Sequence, residues 1–358
     1  MECFRPRLVI LQCVVVFVLL IKINADAPAV PALCIFGDSI MDVGNNNNRL
    51  TTLLKANFLP YGRDFETHKP TGRFCNGKLA VDYIADYLGF GEYPPAYLDT
   101  ANETLLLRGA NFASAGSGYY DRTSLLNQAI SLPSQLSNYE KWQNQVVELV
   151  GNETAKAIFS GGIYILSAGT SDFLQNYYIN PLLRALHTPS KFSNMLLKAY
   201  SNFVQRLYSL GVRRIGVTTL PPTGCLPVAI TLFGRGRNNC VVRLNKDALA
   251  FNKKLNATSQ DLLKKFPDLK LVVFDIYNPL LNIITKPVEN GFFESRRGCC
   301  GTGMLATAVL CNSRSTGTCS NATGYVFWDG FHTSESANRI LSQDLLMQGI
   351  SLVSNSII

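Results

Sequence analysis

Apolar residues in this chain fall into short continuous runs separated by stretches with helical spacing. Ala32–Phe36, Gly162–Leu166, Val212–Thr219 and Leu269–Phe274 read as strands, and Leu105–Phe112 reads as a weaker one. Runs that are apolar throughout, rather than alternating, suit strands covered on both faces. With helices between them, they predict a parallel sheet. Ser193 can cap a helix through Met195, Leu196, Leu197, Tyr200, Phe203, Val204 and Leu207, stopped by Gly211. A second helix spans about Val241 to Phe266, with Pro267 ending it. A last one follows Ser334 and carries Ile340, Leu341, Leu345 and Leu346. Ala56 to Gly77 is rich in Gly, Pro and polar residues and predicts a long surface excursion, part of a substrate rim. Asn45 to Asn48 predicts a loop with local side-chain caps.

At the N-terminus, Arg5 and Arg7 precede an apolar run from Leu8 to Ile21. Ile23-Asn24-Ala25 then offers a small-residue cleavage site before Asp26. The run is short of the ~20 residues of a membrane span. Residues 1–25 therefore read as a secretory signal peptide, and residues 26–358 as a single domain. No other stretch is long enough to cross a bilayer, so no transmembrane segment is expected after signal removal.

The expected compartment agrees with the cysteines. Ten are present, and Cys3 and Cys13 fall in the leader. Cys34 and Cys75 read as buried thiols, while Cys225 and Cys240 flank a loop they can close. Cys299, Cys300, Cys311 and Cys319 crowd a Gly- and Ser-rich segment. In a secreted chain they read as disulfides rather than a zinc site, since their spacing fits no common finger. Four sequons, at Asn102, Asn152, Asn256 and Asn321, add a glycosylated extracellular protein to the expectation. The formal charge is +8, scattered in pairs such as Arg213-Arg214 and Lys253-Lys254, with no nucleic-acid motif behind it.

Candidate chemistry sits at the two ends. Ile35-Phe36-Gly37-Asp38-Ser39 places a serine directly after the first strand. Ligands in open parallel sheets bind beyond the carboxyl ends of strands. A helix starting just after Ser39 would aim its amides and positive dipole end at the same spot. A serine in that position also serves as an ordinary helix cap. Near the other end stands Trp328-Asp329-Gly330-Phe331-His332. His68 and His187 are the only other histidines, and neither has an acidic neighbour at turn spacing. Asp329 lies three residues before His332, so it can accept from one imidazole nitrogen and leave the other free as a base. Together Ser39, His332 and Asp329 supply the residue types of a Ser-His-Asp acyl-transfer site. Gly-x-Ser-x-Gly and His-Glu-x-x-His are both missing from the chain, which counts against a nucleophile elbow and a zinc hydrolase.

Here the pattern resembles a known family. Gly37-Asp38-Ser39 with Asp42, Gly44 and Asn45 is similar to the first block of the GDSL esterase/lipases of the SGNH hydrolase superfamily. Asn111-Phe112-Ala113-Ser114-Ala115-Gly116 resembles the second block, Gly169-Thr170-Ser171-Asp172 the third, and Asp329-Gly330-Phe331-His332 the fifth. The Cys-rich segment before Asp329 resembles the plant branch. The resemblance implies an α/β protein with a three-layer α/β/α, flavodoxin-like fold and a parallel central sheet. It implies hydrolysis of carboxylic esters of a lipid or an acylated small molecule or polymer, with no metal and no organic cofactor. Carried over by position, Ser39 is the nucleophile, His332 the general base and then acid, and Asp329 its orienting partner. The oxyanion donors are the amides of Ser39 and Gly116, with Ser171 where the family usually has asparagine. A hydroxyl is a shorter donor than an amide. The same acyl-enzyme also serves a secreted acyltransferase, and a catalytically weak binding protein on this fold is the third reading. Oligomeric state is not legible.

Overall fold

A computed structural model of the chain describes residues 28–99 and 102–354, and the expected leader at 1–25 lies outside them. Four parallel strands form the central sheet: β1 Leu33–Gly37, β2 Ile163–Ser167, β3 Arg214–Thr218 and β4 Lys270–Phe274, in the order β1-β2-β3-β4. Leu33 pairs with Ile163 and Gly37 with Ser167, so the carboxyl ends of β1 and β2 finish level. The strands at 32–36, 162–166, 212–219 and 269–274 read from the sequence thus fall on these four.

The two-residue period of a strand divides the core. Leu33, Ile35, Ile163 and Ile165 point to one face, where they meet α1 (Ala80–Tyr87) and α7 (Glu335–Gln348) through Ile84 and Leu345. Cys34, Phe36, Tyr164 and Leu166 point to the other, against α2 (Leu132–Val150), α3 (Asn152–Gly161), α4 (Pro189–Ser209) and α5 (Val242–Lys265). This is a three-layer α/β/α arrangement. α6 (Tyr277–Thr285) follows β4, and Ser334 caps α7 by accepting from the Ala337 amide.

The expected strand at 105–112 is corrected. Its first residues belong to a short helix, Glu103–Leu106. Residues 108–114 then run beside β1, with Leu33 N–H donating to Arg108, Ile35 to Ala110, and Phe112 back to Ile35. Only isolated bridges form there. Gly109 explains the irregularity: at φ 106° it comes so close to β1 that a Cβ would stand 2.1 Å from the Leu33 carbonyl oxygen. Counting this segment as the second strand gives the order 2-1-3-4-5, the flavodoxin-like arrangement, with the switch point between β1 and β2.

Three further expectations change. α4 starts at Pro189 with Thr188 as its cap, because proline suits the first turn; Ser193 lies inside the helix and donates to Pro189 O. No helix follows Ser39; the chain makes tight turns instead. Residues 56–77 are only partly a surface excursion: 66–69 are exposed, but Tyr61 and Phe74 are buried, in a small cluster with Trp328 and Cys300, and Phe74 lines the cleft at Ser39. A two-stranded parallel sheet, β5 (Glu294–Gly298) and β6 (Tyr325–Phe327), had no clear signature in the sequence. Disulfides Cys299–Cys319 and Cys300–Cys311 brace it, and Cys225–Cys240 closes the loop before α5. Cys34 and Cys75 are buried thiols.

Candidate active site

Ser39 stands two residues past the end of β1. The approach depends on Gly37, whose φ is 135° and whose added Cβ would fall 1.9 Å from Ser167 O, so no side chain fits. Gln135 from α2 grips both polar groups of Gly37, accepting from its N–H at 2.9 Å and donating to its carbonyl at 2.9 Å. Beyond it, the Met41 and Asp42 amides both donate to Asp38 O. That turn replaces the helix start expected there. Backbone geometry, not a helix dipole, therefore orients the Ser39 amide.

Asp329 and His332 sit on the turn after β6. Asp329 Oδ1 accepts from the Phe331 and His332 amides, each at 2.8 Å, which folds the carboxylate back over its own turn. His332 Nδ1 lies 2.9 Å from Asp329 Oδ1 and 2.8 Å from Oδ2. His332 Nε2 lies 2.7 Å from Ser39 Oγ. An ionised Asp329 keeps the proton on Nδ1, so Nε2 presents a lone pair to the serine hydroxyl. Asp329 is wholly buried, and His332 nearly so.

Two residues that the sequence reading did not single out complete this side. Tyr61 donates to Asp329 Oδ2 at 2.8 Å and accepts from the Ala308 amide at 2.8 Å. Burial, then the nearby Asp329 charge, push its phenol far above the ordinary tyrosine range, so it stays a donor. The Phe74 ring packs 4.9 Å from the imidazole centroid. Both come from the 56–77 excursion, where an apolar aromatic among Gly and Pro was the available signal.

Gly116 and Ser171 reach the same end of the sheet but make no hydrogen bond to Ser39. Asp42 ties the Gly116 segment to the serine turn, accepting from Gly44, Asn45 and Ala115 amides. Asn45 Nδ2 donates to Asn111 O and Ala113 O, and Asn46 Nδ2 to Ala115 O. The asparagine run is therefore a long-range strut, not a set of local caps. Among the described residues, neither the Ser39 nor the Gly116 amide has a protein acceptor. Ser171 is buried beyond β2 with no hydrogen-bond partner for its hydroxyl among them. Asp172 opens a π-helical turn, Asp172–Tyr177, and accepts from the Tyr119 and Tyr120 amides and the Thr123 hydroxyl. It clamps the Ser171 loop onto the chain just after Gly116.

The buried carboxylates are unequal. Burial raises Asp38 to about 7, and its Oδ2 has no partner among the described residues. Asp42 rises less, to about 6, because burial is opposed by three amide donors. Among the described residues, no group of three His, Cys, Asp or Glu side chains is placed to hold a metal ion.

A cleft of about 710 Å³, counting its open mouth, begins at Ser39 and His332 and is lined mainly by aliphatic side chains.

An α/β/α sheet with a serine, imidazole and carboxylate joined at the carboxyl ends of its strands has the residue types and contacts that hydrolytic acyl transfer requires. The family model described as GDSL-like Lipase/Acylhydrolase matches residues 33–345. Two GDSL esterase/lipases of Arabidopsis thaliana are 63% and 64% identical, covering 93% and 91% of this chain and 94% and 92% of their own. The Arabidopsis GDSL esterase/lipase APG is 54% identical over 91% of this chain and 93% of its own. The chain belongs to the GDSL esterase/lipase family, of the plant type, and is a carboxylic ester hydrolase.

Proposed function

We propose that the chain is a secreted esterase that works through an acyl-enzyme on Ser39. The observation carrying this reading is the unbroken path from Ser39 Oγ through His332 to Asp329, with contacts of 2.7 and 2.8 Å. Ser39 Oγ attacks the ester carbonyl carbon as His332 Nε2 takes its proton. The carbonyl oxygen becomes an oxyanion held by the Ser39 and Gly116 amides, with the Ser171 hydroxyl as a third donor. Collapse breaks the carbon–oxygen bond to the alcohol, which leaves with the proton from His332. Water then gives its proton to His332, attacks the acyl carbon and releases the acid, returning the proton to Ser39. Asp329 stays ionised throughout and stabilises the imidazolium.

Three disulfides and four sequon asparagines, all exposed, favour an extracellular compartment reached through a leader at 1–25. The test is Ser39→Ala assayed on a short-chain aryl ester. Turnover should disappear while far-UV circular dichroism is unchanged. Full activity in that variant refutes the assignment.

A further inference from the structure

The catalytic cleft has an inner end, and a second cavity lies behind it. The cleft runs from Ser39 between the sheet and α7, past Leu79, Leu226, Ile276, Leu280 and Leu341 to Leu345. On the far side of Leu345 is a smaller, half-open apolar pocket of about 320 Å³ counting its open mouth, with about 20 Å³ of room inside, lined by Ile84, Leu88, Ile163, Ile165, Phe274 and Leu352. Leu345 lines both, and it is only 5% exposed. Leu341 and Leu345, four apart, share one face of α7. The path from Ser167 at the cleft to Ile163 at the second cavity follows β2 backwards for four residues, about 13 Å at ~3.3 Å each.

The polar groups in the cleft wall are already engaged. Thr218 donates to Ser167 Oγ at 2.8 Å. Asn338 donates to Lys78 O at 2.9 Å and accepts from Thr333 at 2.5 Å. Apart from the reacting pair, the wall has little with which to bind sugar hydroxyls, and it suits a hydrocarbon. The leaving alcohol must clear the site for water, so it belongs on the solvent side and the enclosed side holds the acyl part.

We propose that this cleft takes an unbranched aliphatic acyl chain and that Leu345 is the partition that sets its maximum length. Shortening Leu345 joins the two cavities into one acyl channel. This rests on the Ser39 acyl-enzyme reading and adds the acyl specificity to it.

The experiment measures kcat/KM for p-nitrophenyl esters from acetate to palmitate, with wild type, Leu345→Ala, Leu345→Val and Leu345→Ala/Leu352→Trp. Acetate reports the catalytic site, and the ratio of long to short chains reports the partition. Wild type should lose activity beyond one chain length. Leu345→Ala should raise the long-to-short ratio at least tenfold, and Leu345→Val should move it the same way by less. Refilling the second cavity in the double variant should restore the wild-type cutoff. A ratio within twofold of wild type in both single variants overturns the proposal; if Leu345→Ala does not fold, Leu345→Val alone decides. A parallel series of acetate esters of progressively longer alcohols whose preference shifts while the p-nitrophenyl series does not also overturns it, since the channel would then hold the alcohol. Acetate turnover that persists in Ser39→Ala instead defeats the underlying mechanism, an outcome separate from any change in chain preference.

Discussion

The proposed nucleophile and its proposed base are carried by two unlike pieces of the molecule. Ser39 extends from the central sheet, whose β1 is buried along its whole length and whose two faces are each covered by helices. Asp329 and His332 extend from the β5–β6 sheet, where the buried cluster is small and mixes alanines and cystines with Tyr61, Phe74 and Trp328. The first piece is held by burial of continuous apolar surface. The second joins that core through Phe292, Val326 and Phe327, and the rest of it is held by covalent cross-links and hydrogen bonds, among them Cys299 N–H to Phe327 O and Gly330 N–H to Ala306 O. The site is the seam between them. Its geometry therefore depends on the weaker piece more than on the larger core.

The largest break in that comparison is Asp329→Asn. An amide that donates toward Nδ1 favours the wrong tautomer, and kcat should fall by about 10⁴. Steady-state kinetics with an unchanged fold checks it. Next is removal of Cys300–Cys311 as Cys300→Ser/Cys311→Ser, expected to cost about 2–4 kcal/mol of stability. If the two pieces differ as described, ester turnover is lost at lower urea than the far-UV signal of the central sheet. Coincident loss of both signals would show a single cooperative unit. Tyr61→Phe removes a bond to a charged carboxylate and strands the Ala308 amide, an expected loss of about 1.5–3 kcal/mol shared between kcat and stability. Phenylalanine keeps the ring, so a variant with normal kcat and normal melting would remove Tyr61 from the positioning of Asp329.

On the sheet side the expected effects are smaller. Ser171→Ala deletes one neutral donor, an expected cost of about 0.5–1.5 kcal/mol in the barrier. No loss of kcat would take Ser171 out of the oxyanion site. Asp38→Asn should change turnover least and stability against pH most. Asp38 titrates at about 7 in the folded chain against an ordinary 3.8. The folded state thus holds an extra proton between those values, and its contribution to stability is full below about 3.8 and lost as pH rises through 7. Asp38→Asn should flatten the decline in urea stability over that window by up to about 1.4 kcal/mol per pH unit. An unchanged slope would show that Asp38 does not hold that proton.

The residues proposed to react were legible because each is local to a short motif: Ser39 after an apolar run, and Asp329 three positions before His332 on one turn. The strands were legible for a similar reason, since a strand buried on both faces must be apolar throughout. Tyr61 and Phe74 were not, because their partners lie hundreds of positions away. The Asn45 to Asn48 run misleads for the same reason: asparagine is a good local cap, and only packing shows its amides spanning to residues 111–115. The missing helix after Ser39 is a case where tight backbone turns took over a role that a dipole could also fill.

Composition and pattern alone therefore determined an α/β chain with parallel strands, cross-linkable cysteines and a serine, histidine and aspartate of the right chemistry. Tertiary structure decided which groups meet, how Asp329 is gripped, and that Leu345 lines both the cleft at Ser39 and the pocket behind it. Periodicity records what a residue needs from its neighbours along the chain, whereas a hydrogen bond or a cavity wall is set by whatever the fold brings from elsewhere.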